Sequence, residues 1–447
     1  MDQTLGTQAP DRDFTVDNRS VLAIAVPMTL AYLTTPLIGL TDTAVVGQLG
    51  DAALLGGLAA GSIVFDIVFT SFNFLRSGTT GLVAQAYGRG DTVEERAVLL
   101  RAIAIAVAIG ITFALLAPLV ALAGGWFMGA EARVLSAMDT YVRIRLLGAP
   151  FALMNYAILG YVLGRGEGRL GLLLQVVLNG ANITLAIVLG LELGWGVAGV
   201  SWGAVGGELI GLVTGLVILS RRFRGSPWPT RGRVFETEAM ISMMTLNRDI
   251  MIRSFVLLAA FALFTRQGAQ LGTLTLAANA VLINFFLVGG YFLDGFASAA
   301  EQLAGRAIGA GSERAFRRSI SITTIWGFAL SGLATGVFLL FGPQLIAVIT
   351  SAADVRAEAV RYIPWAAFTA ISGVLAFQMD GVFIGATWSR DMRNMMLISF
   401  AAYLGVLYFV APSFANDGLW AALHVFLLVR GFTLLSRLGQ RTREAFG

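Results

Sequence analysis

No cysteine and no lysine occur among the 447 residues, and histidine occurs once, as His424. Without cysteine there can be no disulfide, thiolate metal site or cysteine nucleophile. Without lysine there is neither a Walker A phosphate-binding loop nor a Schiff base, which excludes P-loop ATP hydrolysis and retinal binding. One histidine cannot make a bis-histidine haem or a multi-histidine metal site, so packing or cavity lining is the expected use of His424, in the last apolar span. No metal and no cofactor are expected. Charge is also scarce: charged residues make up 13% of the chain, hydrophobic ones 57%, and mean hydropathy is +0.77. These values lie outside the range of soluble domains and inside that of polytopic membrane proteins. Residues 1–20 mix Asp2, Asp11, Asp13 and Asp17 with Arg12 and Arg19 and carry no short apolar core, so a removable signal peptide is not expected.

Apolar runs of about 20 residues, each able to cross a ~30 Å hydrocarbon core, recur along the chain. Twelve are read, starting near Val21, Ala53, Val98, Tyr141, Leu170 and Gly196, then near Ile250, Leu274, Ser319, Tyr362, Met395 and Gly418. The expected organisation is a segment 1–20, a six-helix lobe 21–220, a linker 221–247, a second six-helix lobe 248–437 and a tail 438–447. Placing both termini and the even-numbered loops on one side gathers twenty-two arginines there, against six on the other (Arg133, Arg143, Arg145, Arg266, Arg356 and Arg361). The positive-inside rule then makes that side, with both termini and the linker, cytoplasmic. In a bacterial cell this is a multi-pass protein of the inner membrane. The pI of about 9.7 is accounted for by this basic face, and no nucleic-acid partner is implied.

The halves echo one another. "LAAGSIV" begins at Leu58 and "LAANAVL" at Leu276; Gly88 and Gly90 recur as Gly309 and Gly311, Gly160 and Gly164 as Gly381 and Gly385, and Gly196 as Gly418. An offset near half the chain length argues for duplication. Six spans per repeat is an even number, so both repeats start from the same side, as in transporters whose site lies between parallel repeats.

Few acids fall within spans: Asp42, Asp66, Glu208, Asp294, Glu301 and Asp380. A central carboxylate costs roughly 2.5–3.5 kcal/mol on insertion scales, so each one faces a partner, a wet cavity or a transported ion. Asp42 follows Pro27 and Pro36 in one helix, where each proline removes a hydrogen bond and can bend the span. Asp42 reads equally as a coupling-ion site and as a structural hydrogen-bond anchor. Gln175, Asn179 and Asn182 share a helical face, which suits either a wet cavity or interhelical hydrogen bonds. Glycine at 199, 203, 207, 211 and 215 marks a close backbone approach, and Glu208 on that helix must be protonated, paired or turned to the cavity. Asp294 and Asp380 read as partners of Arg253 or Arg266, or as substrate contacts. Tyr32, Asn279 and Asn284 complete the cavity candidates. No role is assigned to Asp66.

The stretches "VPMTLAYLTTPLIGLTDTAVVGQLG", "FLRSGTTGLVAQAYG", "YFLDGFASAAEQLAGRAIG" and "MDGVFIGATWSRDMRNMML" together resemble the multidrug and toxic compound extrusion (MATE) transporters, in particular their DinF-like branch. The resemblance implies an all-α polytopic fold of twelve transmembrane helices in two pseudo-symmetric six-helix lobes. It also implies outward antiport of small organic molecules against protons or sodium, through a bilayer-embedded chain expected to be monomeric. By the same resemblance the first-span aspartate, here Asp42, is the proton site and the helix bends about Pro27; Glu208, from its mid-span position alone, is a second candidate. Many relatives carry Asp at the position of Ala186, and some carry Thr at that of Ala204. A bare sodium ion needs several oxygens whereas a proton needs one base, so these departures favour the proton. The alternatives are sodium coupling, a lipid or lipid-linked sugar flippase of the same superfamily, and a membrane prenyl transferase. The last would need Asp-rich metal motifs that the sequence does not contain, and an enzyme is not expected.

Overall fold

The computed structural model describes residues 14–225 and 227–447; of the expected segment 1–20, residues 1–13 lie outside it. The described chain is almost wholly helical: α1 (Asn18–Gly47), α2 (Ala52–Thr70), α3 (Phe74–Arg89), α4 (Thr92–Met128), α5 (Ala132–Leu147), α6 (Ala149–Gly164), α7 (Gly168–Leu185), α8 (Gly196–Arg222) and α9 (Arg231–Val234), then α10 (Thr237–Gln270), α11 (Thr273–Ala310), α12 (Glu313–Ile349), α13 (Ala353–Arg361), α14 (Ile363–Gly385), α15 (Ser389–Gly405) and α16 (Ala415–Phe446). Ten helical stretches among the described residues are long and apolar enough to cross a membrane, and α5 with α6, bent by 50°, supplies an eleventh. The expected seventh span is carried by α10, whose apolar run from Ile250 is interrupted by Arg253 and Arg266. The chain is an all-α polytopic membrane protein.

Local sequence explains the starts and breaks. Asp17 Oδ1 accepts the Ser20 N–H at 2.8 Å and the Asp17 N–H is donated to Ser20 Oγ at 3.0 Å, a reciprocal cap that starts α1. Pro150 follows the α5–α6 break at Gly148, and Pro364 sits in the first turn of α14 after the shorter α13; each proline starts a helix, because its missing N–H has no helical partner there.

The described residues divide into two compact units, 24–83 with 93–261, and 14–23 with 84–92 and 262–447. The lobes read from the sequence, 21–220 and 248–437, are therefore repeats whose boundaries differ from those of the compact units. In the first unit, the glycine stripe of α8 lies on α7 and on the π-helical turn that follows it (Ala186–Glu192). A Cβ at Gly203 would meet the Ala186 backbone, at Gly207 Asn182, and at Gly211 Leu178. Only hydrogen fits between these backbones. The linker also belongs to this unit and is docked on it. Buried Arg101 donates to the carbonyls of Arg233 at 2.7 Å and Val234 at 2.8 Å, Arg96 donates to that of Pro227, and Arg233 pairs with Glu94 at 2.8 Å. Its helical continuation begins at Thr237, ten residues before the end expected for the linker.

The second unit repeats the first in detail. A Cβ at Gly160 would strike the Arg76 carbonyl, and one at Gly381 the Ala297 carbonyl; Gly164 faces the Thr80 carbonyl, and Gly385 that of Glu301. All four correspondences carry the same offset of 221. A second π-helical turn, Val406–Val410, follows α15 as the first follows α7. Within this unit Gly88 faces the Arg306 carbonyl while Gly309 faces that of Gln85, a reciprocal contact whose partners are again 221 apart. Duplication is thus written into the packing of backbones as well as into the sequence.

Candidate functional site

A cavity of about 500 Å³ lies inside the unit formed by 24–83 and 93–261. Seven helices supply its walls. From α1 come Tyr32, Pro36 and Asp42; from α2, Phe65 and Asp66; from α3, Arg76. Tyr141 and Arg145 come from α5, Asn155 and Tyr156 from α6, Gln175, Asn179 and Asn182 from α7, and Ala204 and Glu208 from α8. Three carboxylates and two guanidiniums therefore share one chamber with tyrosine, phenylalanine and amide side chains.

The carboxylates are held differently. Asn155 Nδ2 donates to Glu208 Oε2 at 2.7 Å and to the Glu208 carbonyl at 2.8 Å, which fixes Glu208 against α6. Asp42 is 7% exposed, and its Oδ1 is buried without a hydrogen-bond partner among the described residues; no arginine is bridged to it. Asn182 Oδ1 is likewise buried and unpartnered, whereas Asn179 Nδ2 donates to Thr34 Oγ1 at 2.6 Å and ties α7 to α1. Unpaired buried polar atoms are rare because each forfeits its hydration, so their presence around one chamber marks a place built to be wetted or filled.

The two cations also differ. Arg76 donates through Nε to Asn73 Oδ1 at 3.1 Å and through Nη2 to Ser77 Oγ at 3.0 Å, anchors on its own helical segment. Arg145 lies over the ring of Phe65, 4.2 Å from its centroid, and lines the same cavity as Asp42, Asp66 and Glu208. Among the described residues no group of three or more His, Cys, Asp or Glu side chains is placed to hold a metal ion.

Of the residues expected from the sequence, Tyr32, Pro36, Asp42, Gln175, Asn179, Asn182 and Glu208 are brought together here. Pro27 is buried in α1 and does not line the chamber. The other expected cavity residues belong to the second compact unit, and the chamber does not include them. Asn279 is buried in packing: its Nδ2 donates to Asn416 Oδ1 at 2.7 Å, and its Oδ1 accepts from Asn416 Nδ2 and Trp420 Nε1, each at 3.0 Å. Asn284 is exposed and donates to the carbonyls of Ala280 and Val281 in its own helix, as a short amide does when no partner faces it. Asp294 is half-buried on α11. Asp380 forms a buried ion pair with Arg430. His424 has a packing role: its Nε2 meets the Trp365 carbonyl at 3.0 Å, which requires the proton on that nitrogen, and its Nδ1 faces Ser372 Oγ at 2.9 Å.

The sequence reading missed Arg145, Asn155 and Tyr156 and assigned nothing to Asp66. The charge count places Arg145 outside the membrane although it follows Tyr141, where the fourth span is read to begin; in the structure it lies in the last turn of α5 (Ala132–Leu147). A signal was present: Tyr141 and Arg145 are four apart and share a helical face.

The MatE family model matches residues 27–188 and again 250–409, one match in each sequence repeat. The DNA damage-inducible protein F of Escherichia coli strain K12 is 36% identical over 432 residues, covering 94% of this chain and 92% of its own. A MOP superfamily transporter from Pyrococcus furiosus superposes with a TM-score of 0.88 over 96% of both chains at 15% identity. The outward-facing conformation of a multidrug resistance MATE family transporter superposes with a TM-score of 0.83, covering 95% of this chain and 96% of that one at 16% identity. The double match accounts for the repeat, the fold agrees along nearly the whole chain, and the protein belongs to the MATE family of multi-pass efflux transporters, which are not enzymes.

Proposed function

We propose that this chain exports amphipathic organic cations in exchange for protons, and that Asp42 is the group that carries the proton. The observation that carries the reading is a buried carboxylate with an unpartnered oxygen, lining a polar cavity and locked to no arginine. Glu208 is held by Asn155, which leaves Asp42 the better placed of the two to exchange a proton with water or substrate. With every group ionised the chamber carries one negative charge more than positive, and its phenylalanine and tyrosine rings offer faces to an organic cation. A proton needs one base, while sodium needs a shell of oxygens, and the wall at position 204 is an alanine.

Pro27 supports the bending role assigned to α1. It cannot donate to the Ala23 carbonyl, so one rung of the α1 hydrogen-bond ladder is missing there. A missing rung lowers the cost of bending the helix at that turn. The excess of arginine on one side favours cytoplasmic termini in an inner membrane, and a monomer is the working assembly.

The test is flux of a fluorescent cation in proteoliposomes. Under an imposed pH gradient without a sodium gradient, export proceeds in the wild type and falls to the level of empty vesicles in Asp42→Asn. Flux that follows a sodium gradient at fixed pH and ignores the pH gradient would overturn the proton reading. Unchanged pH dependence in Asp42→Asn would remove Asp42 from the mechanism.

A further inference from the structure

We infer that Arg145 sets the charge selectivity of the cavity: it is a tethered cation that limits the chamber to one monovalent organic cation per proton released. This deepens the proposed export function and rests on it. The titratable groups of the chamber are Asp42, Asp66, Glu208, Arg76, Arg145 and the phenols of Tyr32, Tyr141 and Tyr156. With the phenols uncharged, three carboxylates and two guanidiniums leave a single formal negative charge. A proton on Asp42 brings the sum to zero. The chamber therefore alternates between a state that balances one monocation and a state that balances none, which is what one-for-one exchange requires.

Arg145 is the cation suited to this role. Arg76 is anchored by Asn73 and Ser77, and Arg145 has no such anchor: its Nε is buried without a hydrogen-bond partner, it rests on the face of Phe65, and it forms no ion pair with any described carboxylate. It nevertheless lines the same cavity as all three acids. An organic cation entering the chamber competes with that guanidinium for the same carboxylates and for the same aromatic face. Removing the guanidinium charge makes the chamber more negative by one in every protonation state, whichever acids are ionised. Such a chamber balances a dication when Asp42 is ionised and still holds a monocation after Asp42 takes its proton, so release slows.

Ethidium and propidium share one aromatic core and carry one and two fixed charges, which makes them a matched pair of probes. KM and kcat for both are measured in proteoliposomes with wild type, Arg145→Gln, Arg145→Lys and the double variant Arg145→Gln/Asp66→Asn. In Arg145→Gln the propidium-to-ethidium ratio of KM falls about tenfold, the equivalent of a charge interaction of about 1.4 kcal/mol, and kcat for ethidium drops. Arg145→Lys keeps the wild-type ratio because it keeps the charge. The double variant restores the single negative charge and with it the ratio, and it remains a test where Arg145→Gln alone fails to assemble. A wild-type ratio in transport-competent Arg145→Gln, an equal shift in Arg145→Lys, or no return in the double variant each overturns the inference. Failure of the proton reading shows instead in the driving-force experiment with wild type, where substrate charge is not varied.

Discussion

The two compact units share a backbone plan and use their intramembrane acids in opposite ways. In the unit that holds the cavity, Asp42, Asp66 and Glu208 face a common space, and the arginines that share it are bonded to neighbours on their own segment or laid on a ring. In the other unit, Asp380 is closed onto Arg430 and both are buried. Yet Gly160, Gly164, Gly381 and Gly385 meet the carbonyls of residues related by the same offset in both. Duplication preserved the positions where backbones touch, because no side chain fits there. It left the polar positions open to change, since a carboxylate can be satisfied by water and ligand or by a guanidinium. One repeat became a chamber and the other a closed pair.

This contrast can be broken most severely at the closed pair. Asp380→Asn removes the carboxylate charge that faces buried Arg430, and removing one member of a buried pair costs about 3–5 kcal/mol. Thermal unfolding in detergent is expected to show a large drop for Asp380→Asn and a much smaller one for Asp42→Asn, which strands no arginine. Equal losses would mean that the two acids are held alike. Next come the glycines. Alanine at Gly385 drives a methyl group into the Glu301 carbonyl, and at Gly164 into the Thr80 carbonyl at 2.8 Å and Val83 at 2.7 Å. Overpacking of this kind costs about 1–3 kcal/mol, with Gly385→Ala the larger because its neighbour is nearer. A loss of melting temperature in both variants, larger for Gly385→Ala, would show that the repeats bear load at equivalent points; a silent Gly385→Ala would break the equivalence. The smallest effect is expected at Asn284, exposed and bonded only within its helix: alanine there shifts stability by at most about 0.5 kcal/mol and leaves cation export unchanged in the flux assay. A transport defect would return Asn284 to the binding machinery.

Much of the fold was legible because the bilayer is a demanding solvent. Helices long enough to cross it must be apolar along most of their length, and that property is local. The starts read near Ala53, Leu170 and Leu274 fall within two residues of helix starts at Ala52, Gly168 and Thr273. The fourth span was misplaced because α5 is amphipathic enough, with Asp139, Arg143 and Arg145, to look like a loop. The candidate site was legible on α1, α7 and α8, where an acid or an amide interrupts an apolar run. It was illegible in Asn279 against Asn284: both are asparagines on one helix, five residues apart, and only their surroundings distinguish a packed node from an exposed amide.

Composition and hydropathy alone determined a lysine-free, cysteine-free chain of membrane-spanning helices with a duplicated plan, because insertion free energy and the repeat offset are properties of the residues in order. Which acids meet water and which meet arginine was decided only by the tertiary structure. A carboxylate's state depends on what other helices place within a few ångströms of it: Arg430, fifty residues after Asp380, closes one site, and Arg145, more than one hundred residues after Asp42, shares a chamber with it without closing it.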